Sequence, residues 1–324
     1  MKEKALQIDV SALVNFNRQA IARALNLIED RRPRLQAQAL RLLDELSTLP
    51  APAHVVGITG PPGVGKSSLI ARLIARQAQT SRRVAVIAVD PSSKVSGGAL
   101  LGDRGRMQIP IQAEVYARSF AARDRLGGLS REAFTAVFLL RHCCDVVLVE
   151  TVGVGQSETD IASLADTTVL VVQPFSGDVL QFIKAGVMEI PDILVVNKAD
   201  DQALARRALA DVQTALALEL GSFEGSWQNP VLAVSAVTNL NIHILDDAMT
   251  SHYQHLQSTN KLENKRADQT MAWAVGEILH EVGQRGLTAL GGIEGVRSIL
   301  GQQVTQCSTI RKLAVLLDRV RYCA

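Results

Sequence analysis

The chain has 324 residues, of which 47% are apolar and 4% aromatic, and its formal net charge is +2. This length suits one α/β core with helical extensions, and the aliphatic composition suits buried parallel strands. The near-neutral charge gives no reason to expect nucleic acid or an anionic membrane as a partner. Four cysteines without a C-x-x-C pair, a mixed-charge N-terminus and no bilayer-length apolar run predict a reduced, cytoplasmic protein.

Residues 1–50 are predicted to form an N-terminal helical extension that serves packing. Apolar residues recur there at helical spacing, and a second helix is predicted to begin at Pro33. The inward positions of the two helices are Ile21, Leu25 and Ile28, then Leu35, Ala39, Leu42 and Leu46.

Residues 51–257 are predicted to form the core of the protein. Nearly continuous Val, Ile and Leu runs alternate there with helical or loop segments, which is typical of strands covered on both faces. The predicted fold class is therefore α/β, with a doubly wound, mainly parallel sheet and helical extensions at both ends. The predicted strands are residues 55–59, 84–89, 146–149, 168–172, 193–196 and 231–234, with 113–117 as a further candidate.

Residues 60–67 read G-P-P-G-V-G-K-S between a predicted strand and a predicted helix, which is the P-loop pattern in its expected context. Its glycines let backbone N–H groups turn toward phosphate oxygens, and the helix N-terminus adds partial positive charge. Lys66 is predicted to reach the β- and γ-phosphates and to act in catalysis, and Ser67 to bind Mg²⁺. The core is thus a P-loop NTPase. The predicted phosphate-binding residues are Gly60, Pro61, Pro62, Gly63, Val64, Gly65, Lys66, Ser67 and Ser68.

Residues 197–200 read N-K-A-D directly after a predicted strand, and residues 235–236 read S-A after another. An aspartate carboxylate accepts two hydrogen bonds from the N1–H and exocyclic amine of guanine, which adenine cannot supply. With a P-loop upstream in the same sheet, this pattern favours GTP over ATP. The predicted base-binding residues are Asn197, Lys198, Asp200, Ser235, Ala236 and Val237.

Residues 150–153 read E-T-V-G and stand where other GTPases carry D-x-x-G. Glu150 is predicted to hold Mg²⁺ directly or through water, and Gly153 to meet the γ-phosphate. Asp90, after strand 84–89, is interpreted as a ligand of a Mg²⁺-bound water, an orienter of the attacking water, or a cap for the next turn. Val154 replaces the glutamine that orients water in Ras-like enzymes, which predicts slow intrinsic hydrolysis.

The polar segment 258–268 is predicted to be a linker. Two amphipathic helices follow it and either pack back onto the core or pair with a second subunit. The pair His252 and His255 is interpreted as part of a solvated helical face rather than as a metal site. The apolar faces of the two helices are Met271, Val275, Ile278, Leu279 and Val282, then Ile310, Leu313, Ala314, Leu317 and Val320.

Together these motifs resemble the GTPases associated with methylmalonyl-CoA mutase, the MeaB/ArgK family within the SIMIBI class of P-loop proteins. The most specific match is V-E-T-V-G-V-G-Q-S-E at residues 149–158. The resemblance implies a homodimeric, GTP-hydrolysing metallochaperone of a coenzyme-B12-dependent acyl-CoA mutase, with GTP or GDP and Mg²⁺ as cofactors. It also implies that residues 258–324 form the dimerisation arm.

The resemblance extends to single residues. It implies that Asp90, Arg106 and Lys184 act in catalysis and couple nucleotide state to the partner, and that residues 94–107, 150–160 and 176–190 are switches. The implied Mg²⁺ ligands are Ser67, Asp90, Asp103 and Glu150. The sequence departs from the family pattern on surfaces that the resemblance implies contact the partner. These departures are Gly105, Ser119, Phe120, Val179 and Phe182.

Two alternatives remain open on the sequence. A metallochaperone of the same class for another metalloenzyme would want a His-rich tract or a cysteine-containing metal motif. A small-molecule kinase would need an acceptor pocket with a catalytic base. The sequence displays neither feature.

Overall fold

The computed structural model describes residues 8–30, 32–91, 114–122, 131–151, 161–174, 191–220 and 227–300. Two compact units are present. The described parts of residues 53–137 and 144–262 form the first, which we call the sheet unit. The described parts of residues 1–52, 138–143 and 263–324 form the second, which we call the helical unit.

Among the described residues, seven strands form one sheet: β1 His54–Thr59, β2 Val84–Pro91, β3 Val115–Ala122, β4 Val146–Thr151, β5 Thr167–Val172, β6 Ile193–Val196 and β7 Val231–Ala233. Their order is β3-β2-β4-β1-β5-β6-β7, and every neighbouring pair is parallel. The predicted α/β class with a doubly wound parallel sheet is confirmed. Because the strand order reverses beside β1, the segment after β1 opens at the switch point where such sheets bind ligands.

The described helices are α1 Val10–Val14, α2 Arg18–Glu29, α3 Pro33–Leu46, α4 Lys66–Gln79, α5 Arg131–Arg141, α6 Gln202–Leu220, α7 Ile242–Ser258, α8 Lys261–Ala289 and α9 Gly292–Leu300. In the sheet unit, α4 and α7 cover one face of the sheet and α6 covers the other. Alternate residues of β5 illustrate this arrangement, since Val169 and Val171 join the first core and Leu170 and Val172 the second. Strands β1, β4, β5 and β6 are buried at every residue for this reason.

Three strands run past the ends that the sequence predicted, and β2 is one of them, since it continues to Pro91 instead of ending at residue 89. β4 continues to Thr151, so Glu150 lies inside the strand rather than after it. β3 runs to Ala122 instead of ending near residue 117, because it pairs with β2 in unbroken register from Val84 to Pro91. Backbone pairing with a neighbour therefore extends all three strands beyond their apolar runs.

A buried polar network lies at the amino ends of β1 and β5. His54 Nε2 and His252 Nδ1 contact the Thr167 hydroxyl at 2.7 and 2.8 Å, and His252 Nε2 lies 3.3 Å from Asp192 Oδ1. The interpretation of His252 and His255 as a solvated face is wrong for His252, which is 2% exposed. Hydrogen bonds to other elements draw this side chain into the core, and periodicity does not reveal them. The described residues contain no group of His, Cys, Asp and Glu that could hold a metal ion.

The helical unit begins with the predicted N-terminal helices. α3 begins at Pro33, as expected. α2 buries Ile21 and Leu25, while Leu27 rather than Ile28 completes its buried face. Within the described part of the chain, no helix combines the length and apolar character needed to cross a membrane.

The linker predicted at residues 258–268 is wrong, because α7 ends at Ser258 and α8 already begins at Lys261. Polar residues at helical spacing are buried there, among them Arg266, Gln269 and Thr270, and a hydropathy reading treats such residues as exposed. Leu279, predicted to face inward, is 38% exposed. The second predicted helix of this region, around residues 310–320, lies outside the described residues.

His142 gives the helical unit a predicted dependence on pH. Its side chain is 5% exposed, and its Nδ1–H donates to the Pro50 carbonyl oxygen at 3.1 Å. Burial lowers the pKa of His142 from 6.5 to about 4, and the nearby Arg141 and Arg266 add to the effect. The unfolded chain therefore binds the proton more readily, so stability falls as pH drops from about 6.5 to about 4.

We expect this one residue to remove about 3 kcal/mol of unfolding free energy over that interval. Urea denaturation of wild type and His142→Asn at pH 7, 5.5 and 4 tests the expectation. Asparagine keeps a donor for Pro50 but does not titrate, so the variant should lose about 3 kcal/mol less than wild type. Parallel pH profiles of the two proteins would contradict it.

Candidate nucleotide-binding site

The P-loop occupies the six residues between the end of β1 at Thr59 and the start of α4 at Lys66. Gly60, Gly63 and Gly65 adopt φ angles of 141°, 81° and 94°, which L-residues with a Cβ rarely adopt. A Cβ on Gly60 would also lie 2.1 Å from the carbonyl oxygen of Val171 in β5. The glycines therefore allow the loop to turn tightly against the central strands.

Lys66, the first residue of α4, is held over this loop. The side chain is 6% exposed, and Nζ donates to the carbonyl oxygens of Gly60 at 2.7 Å and Pro61 at 3.0 Å. Hydrogen bonds from an ammonium group are short and strong, so the charge is fixed at the mouth of the loop. That is where an anionic phosphate would meet it.

Ser67 and Glu150 face each other across α4 and β4. Glu150 shares its strand face with Leu148, which packs in the core beneath α4, so its carboxylate reaches the helix. The Ser67 hydroxyl donates to Glu150 Oε1 at 2.7 Å. Adjacent oxygens around octahedral Mg²⁺, each about 2.1 Å from the ion, lie about 3 Å apart. This oxygen pair therefore suits Mg²⁺ with little movement.

The other predicted phosphate-side residues are only partly described. Asp90 lies in β2, two residues beyond Ala88, which pairs with Glu150 in the sheet. Its backbone is therefore near the same carboxyl edge. Other predicted residues lie outside the described residues: Asp103, Arg106, Gly153 and Lys184.

Asn197 joins the P-loop to the segment after β7. It follows β6 directly and is 2% exposed. Its Nδ2 donates to the Val64 carbonyl oxygen at 2.8 Å, and its Oδ1 accepts the Ala236 N–H at 3.3 Å. A Cβ on Gly65 would lie 2.6 Å from Asn197 Nδ2, so that glycine also permits the contact.

Asp200 and Ser235, two of the residues predicted to bind the base, contact each other. The Ser235 hydroxyl donates to Asp200 Oδ1 and accepts the Thr238 N–H at 3.0 Å. Lys198 adopts a φ of 60°, a left-handed conformation that is uncommon outside functional turns, and its Nζ donates to Gln173 Oε1 at 2.6 Å. The Asp200 carboxylate is thus oriented by a hydroxyl on one side while the residue stays exposed.

Arg72 is a contributor to this region that the sequence analysis missed. It lies on α4, and its Nε and Nη2 donate to the carbonyl oxygens of Ala236 at 2.6 Å and Val237 at 3.2 Å. No motif includes the residue. An arginine on an exposed helix face is usually solvated, so the sequence offers no reason to single it out. Only its place six residues after Lys66 on the same helix hints at the contact.

Phosphate-binding and guanine-type segments thus meet at one edge of a parallel sheet, an arrangement that defines a P-loop GTPase. The family model described as Methylmalonyl Co-A mutase-associated GTPase MeaB matches residues 21–289. This match spans most of the chain, and the protein belongs to that family of GTPases.

Individual relatives agree with this assignment. A protein of Pyrococcus horikoshii is 42% identical over 260 residues, which cover 79% of this chain and 80% of that protein. GTPase ArgK of Escherichia coli is 35% identical over 286 residues, covering 87% of this chain and 86% of ArgK. A crystal structure of an LAO/AO transport system kinase matches with a TM-score of 0.69 and 27% identity, covering 95% and 96% of the two chains.

Proposed function

We propose that this GTPase is a chaperone of a coenzyme-B12-dependent acyl-CoA mutase, which uses GTP to gate cofactor loading and to protect or reactivate the mutase. Membership of a mutase-associated family carries the proposal. The geometry supports the nucleotide part, because Asn197 links the phosphate loop at Val64 to the base segment at Ala236.

In the proposed complex the phosphates of GTP lie on the P-loop N–H groups and the α4 N-terminus. Lys66 exchanges its bonds to Gly60 and Pro61 for bonds to phosphate oxygens. Mg²⁺, held by Ser67 and Glu150, would neutralise charge on the phosphates. These residues bind and orient the triphosphate before hydrolysis begins.

The guanine base is proposed to pair with Asp200, whose carboxylate accepts from N1–H and the 2-amino group. The hydroxyl of Ser235 already fixes the direction of that carboxylate. The Ala236 N–H, whose bond to Asn197 is long at 3.3 Å, can also approach O6 of the base. Lys198 lies beside this edge and is proposed to cover the base.

Hydrolysis replaces the bond between the β–γ bridging oxygen and the γ-phosphorus with a bond to water, giving GDP and phosphate. We propose that Asp90 orients the attacking water from its position near the end of β2. Asp103 is proposed as a further Mg²⁺ ligand, and Arg106 and Lys184 as the residues that relay the presence of the γ-phosphate to the partner.

The homodimer is also part of the proposal. Its arm would be residues 258–324, which include all of the described helices α8 and α9. A dimer would give the mutase two equivalent GTPase surfaces, as closed two-fold assemblies do.

Gel filtration of the purified protein with each B12-dependent acyl-CoA mutase of its host tests the proposal. We expect a complex whose stability differs between GDP and a non-hydrolysable GTP analogue, with the mutase raising GTP turnover. Absence of a complex with every such mutase in either nucleotide would contradict the chaperone role. Phosphoryl transfer to a small acceptor, without release of phosphate, would instead support a kinase.

A further inference from the structure

The base-binding segment, residues 235–241, is a tight loop between β7 and α7. The Ser235 N–H donates to the Leu240 carbonyl oxygen at 3.1 Å, and this hydrogen bond joins the two ends of the loop. Asn239 and Asn241 adopt φ angles of 63° and 55°, so the chain reverses direction sharply. Asn241 Nδ2 donates to the Ala233 carbonyl oxygen at 2.9 Å and fixes the return of the chain into α7.

The tip of this loop is supported from a different element. Ala236 is 6% exposed but Val237 is 74% exposed, so the tip contributes little hydrophobic packing of its own. The Ala236 N–H meets Asn197, while its carbonyl oxygen meets Arg72 at 2.6 Å. The same guanidinium reaches the Val237 carbonyl oxygen at 3.2 Å. Arg72 therefore holds two successive peptide units in one orientation.

Helix α4 connects this support to the phosphate site. Lys66 and Arg72 are six residues apart on α4, which corresponds to about 9 Å along a helix axis. The planar guanidinium donates to the two carbonyl oxygens from two nitrogen atoms in a fixed fork, so it sets their relative orientation more firmly than the rotating donors of an ammonium do. One rigid helix thus sets the separation of the phosphate and base segments.

We propose that Arg72 is a positioning residue for guanine recognition: by binding the carbonyl oxygens of Ala236 and Val237 it fixes the peptide unit that carries the Val237 N–H, so that this N–H faces the base. This inference rests on the proposed base site and adds to it a residue outside every nucleotide-binding motif of the chain. The residue acts through the loop and contributes to affinity rather than to the hydrolytic step.

Replacement by glutamine tests the inference. For Arg72→Gln we expect the Kd for GDP and for GTP to rise about 10-fold, mostly through faster dissociation, since charged donors to two carbonyls are lost. The KM for GTP should rise similarly, while kcat at saturating GTP stays within about two-fold of wild type. Arg72→Lys should fall between the two proteins, because it keeps the charge but replaces the fixed two-nitrogen fork with a single rotating ammonium.

Arg76→Gln is the matched control. Arg76 lies one turn further along α4, and its Nε pairs with Asp246 Oδ2 at 3.5 Å instead of with the loop. Arg76→Gln removes the same charge from the same helix but no contact with the loop, so nucleotide affinity should stay at the wild-type value. Equal losses in both variants would overturn the positioning role and indicate a general effect on α4.

The wild-type preference for GDP over ADP separates the possible failures. If wild type prefers GDP but Arg72→Gln binds GDP as tightly as wild type does, the assignment of Arg72 is wrong and the base site stands. If wild type has no preference, the base site itself is wrong. A lower kcat with unchanged Kd in Arg72→Gln would also overturn the inference.

Discussion

Replacing Lys66 with alanine is expected to reduce kcat for GTP hydrolysis by at least about 10³-fold. The ammonium is buried at the mouth of the P-loop, where its Nζ is fixed by the carbonyl oxygens of Gly60 and Pro61. Charge that develops on the phosphates would lose the ammonium that the P-loop holds beside them. Phosphate release under single-turnover conditions measures the effect.

The fold should survive this change, because the glycines set the P-loop conformation and α4 packs into the core through Leu69, Ile70 and Leu73. Circular dichroism and thermal unfolding check that point. Lys261→Ala, which removes an exposed lysine at the start of α8, is the control and should hydrolyse GTP as wild type does. Wild-type turnover by a folded Lys66→Ala protein would remove the P-loop from the mechanism.

Asp200→Asn is expected to lower the affinity for GDP by about 10²–10³-fold. The variant should also bind xanthosine diphosphate more tightly than it binds GDP. The guanine edge presents two donors, which a carboxylate accepts and an amide can match only in part. Xanthine carries a carbonyl oxygen in place of the 2-amino group, so the amide N–H of asparagine gains an acceptor. Competition against a fluorescent nucleotide measures both affinities.

The neighbouring residue supplies the matched control. Asp201 caps α6, since its Oδ1 accepts the N–H groups of Ala203 at 2.9 Å and Leu204 at 3.2 Å. Asparagine also caps helices well, so Asp201→Asn makes the same charge change without affecting the base site. It should keep the wild-type preference for GDP. An Asp200→Asn protein that still prefers GDP to the xanthine nucleotide would show that another residue reads the base.

Most of the fold was predictable because buried parallel strands leave a direct trace in sequence. The apolar runs of β1, β5 and β6 coincide with their observed bounds to within one residue. The P-loop was also predictable, because its backbone needs glycine at three left-handed positions and those glycines are visible in the sequence. The contacts of Ser67 with Glu150 and of Ser235 with Asp200 then bring together residues that motifs had paired only by analogy.

Features that depend on contacts between distant segments could not be predicted. His252 looked solvated because its helix face is polar in sequence, yet Thr167 and Asp192 bind it in the core. Arg72 has no motif, because its partners are backbone carbonyl oxygens, which any residue can supply. The linker predicted at residues 258–268 was wrong for a similar reason, since residues such as Arg266 are polar and nevertheless buried. Hydropathy alone misplaces such residues.

Calorimetric titration of the wild-type protein with GDP and with ADP, both in Mg²⁺ buffer, tests the guanine site most directly. We expect GDP to bind at least about 10³-fold more tightly than ADP, because adenine would leave the Asp200 carboxylate without its donors. Equal affinities for the two nucleotides would contradict the assignment of residues 197–200 and 235–237 to the base.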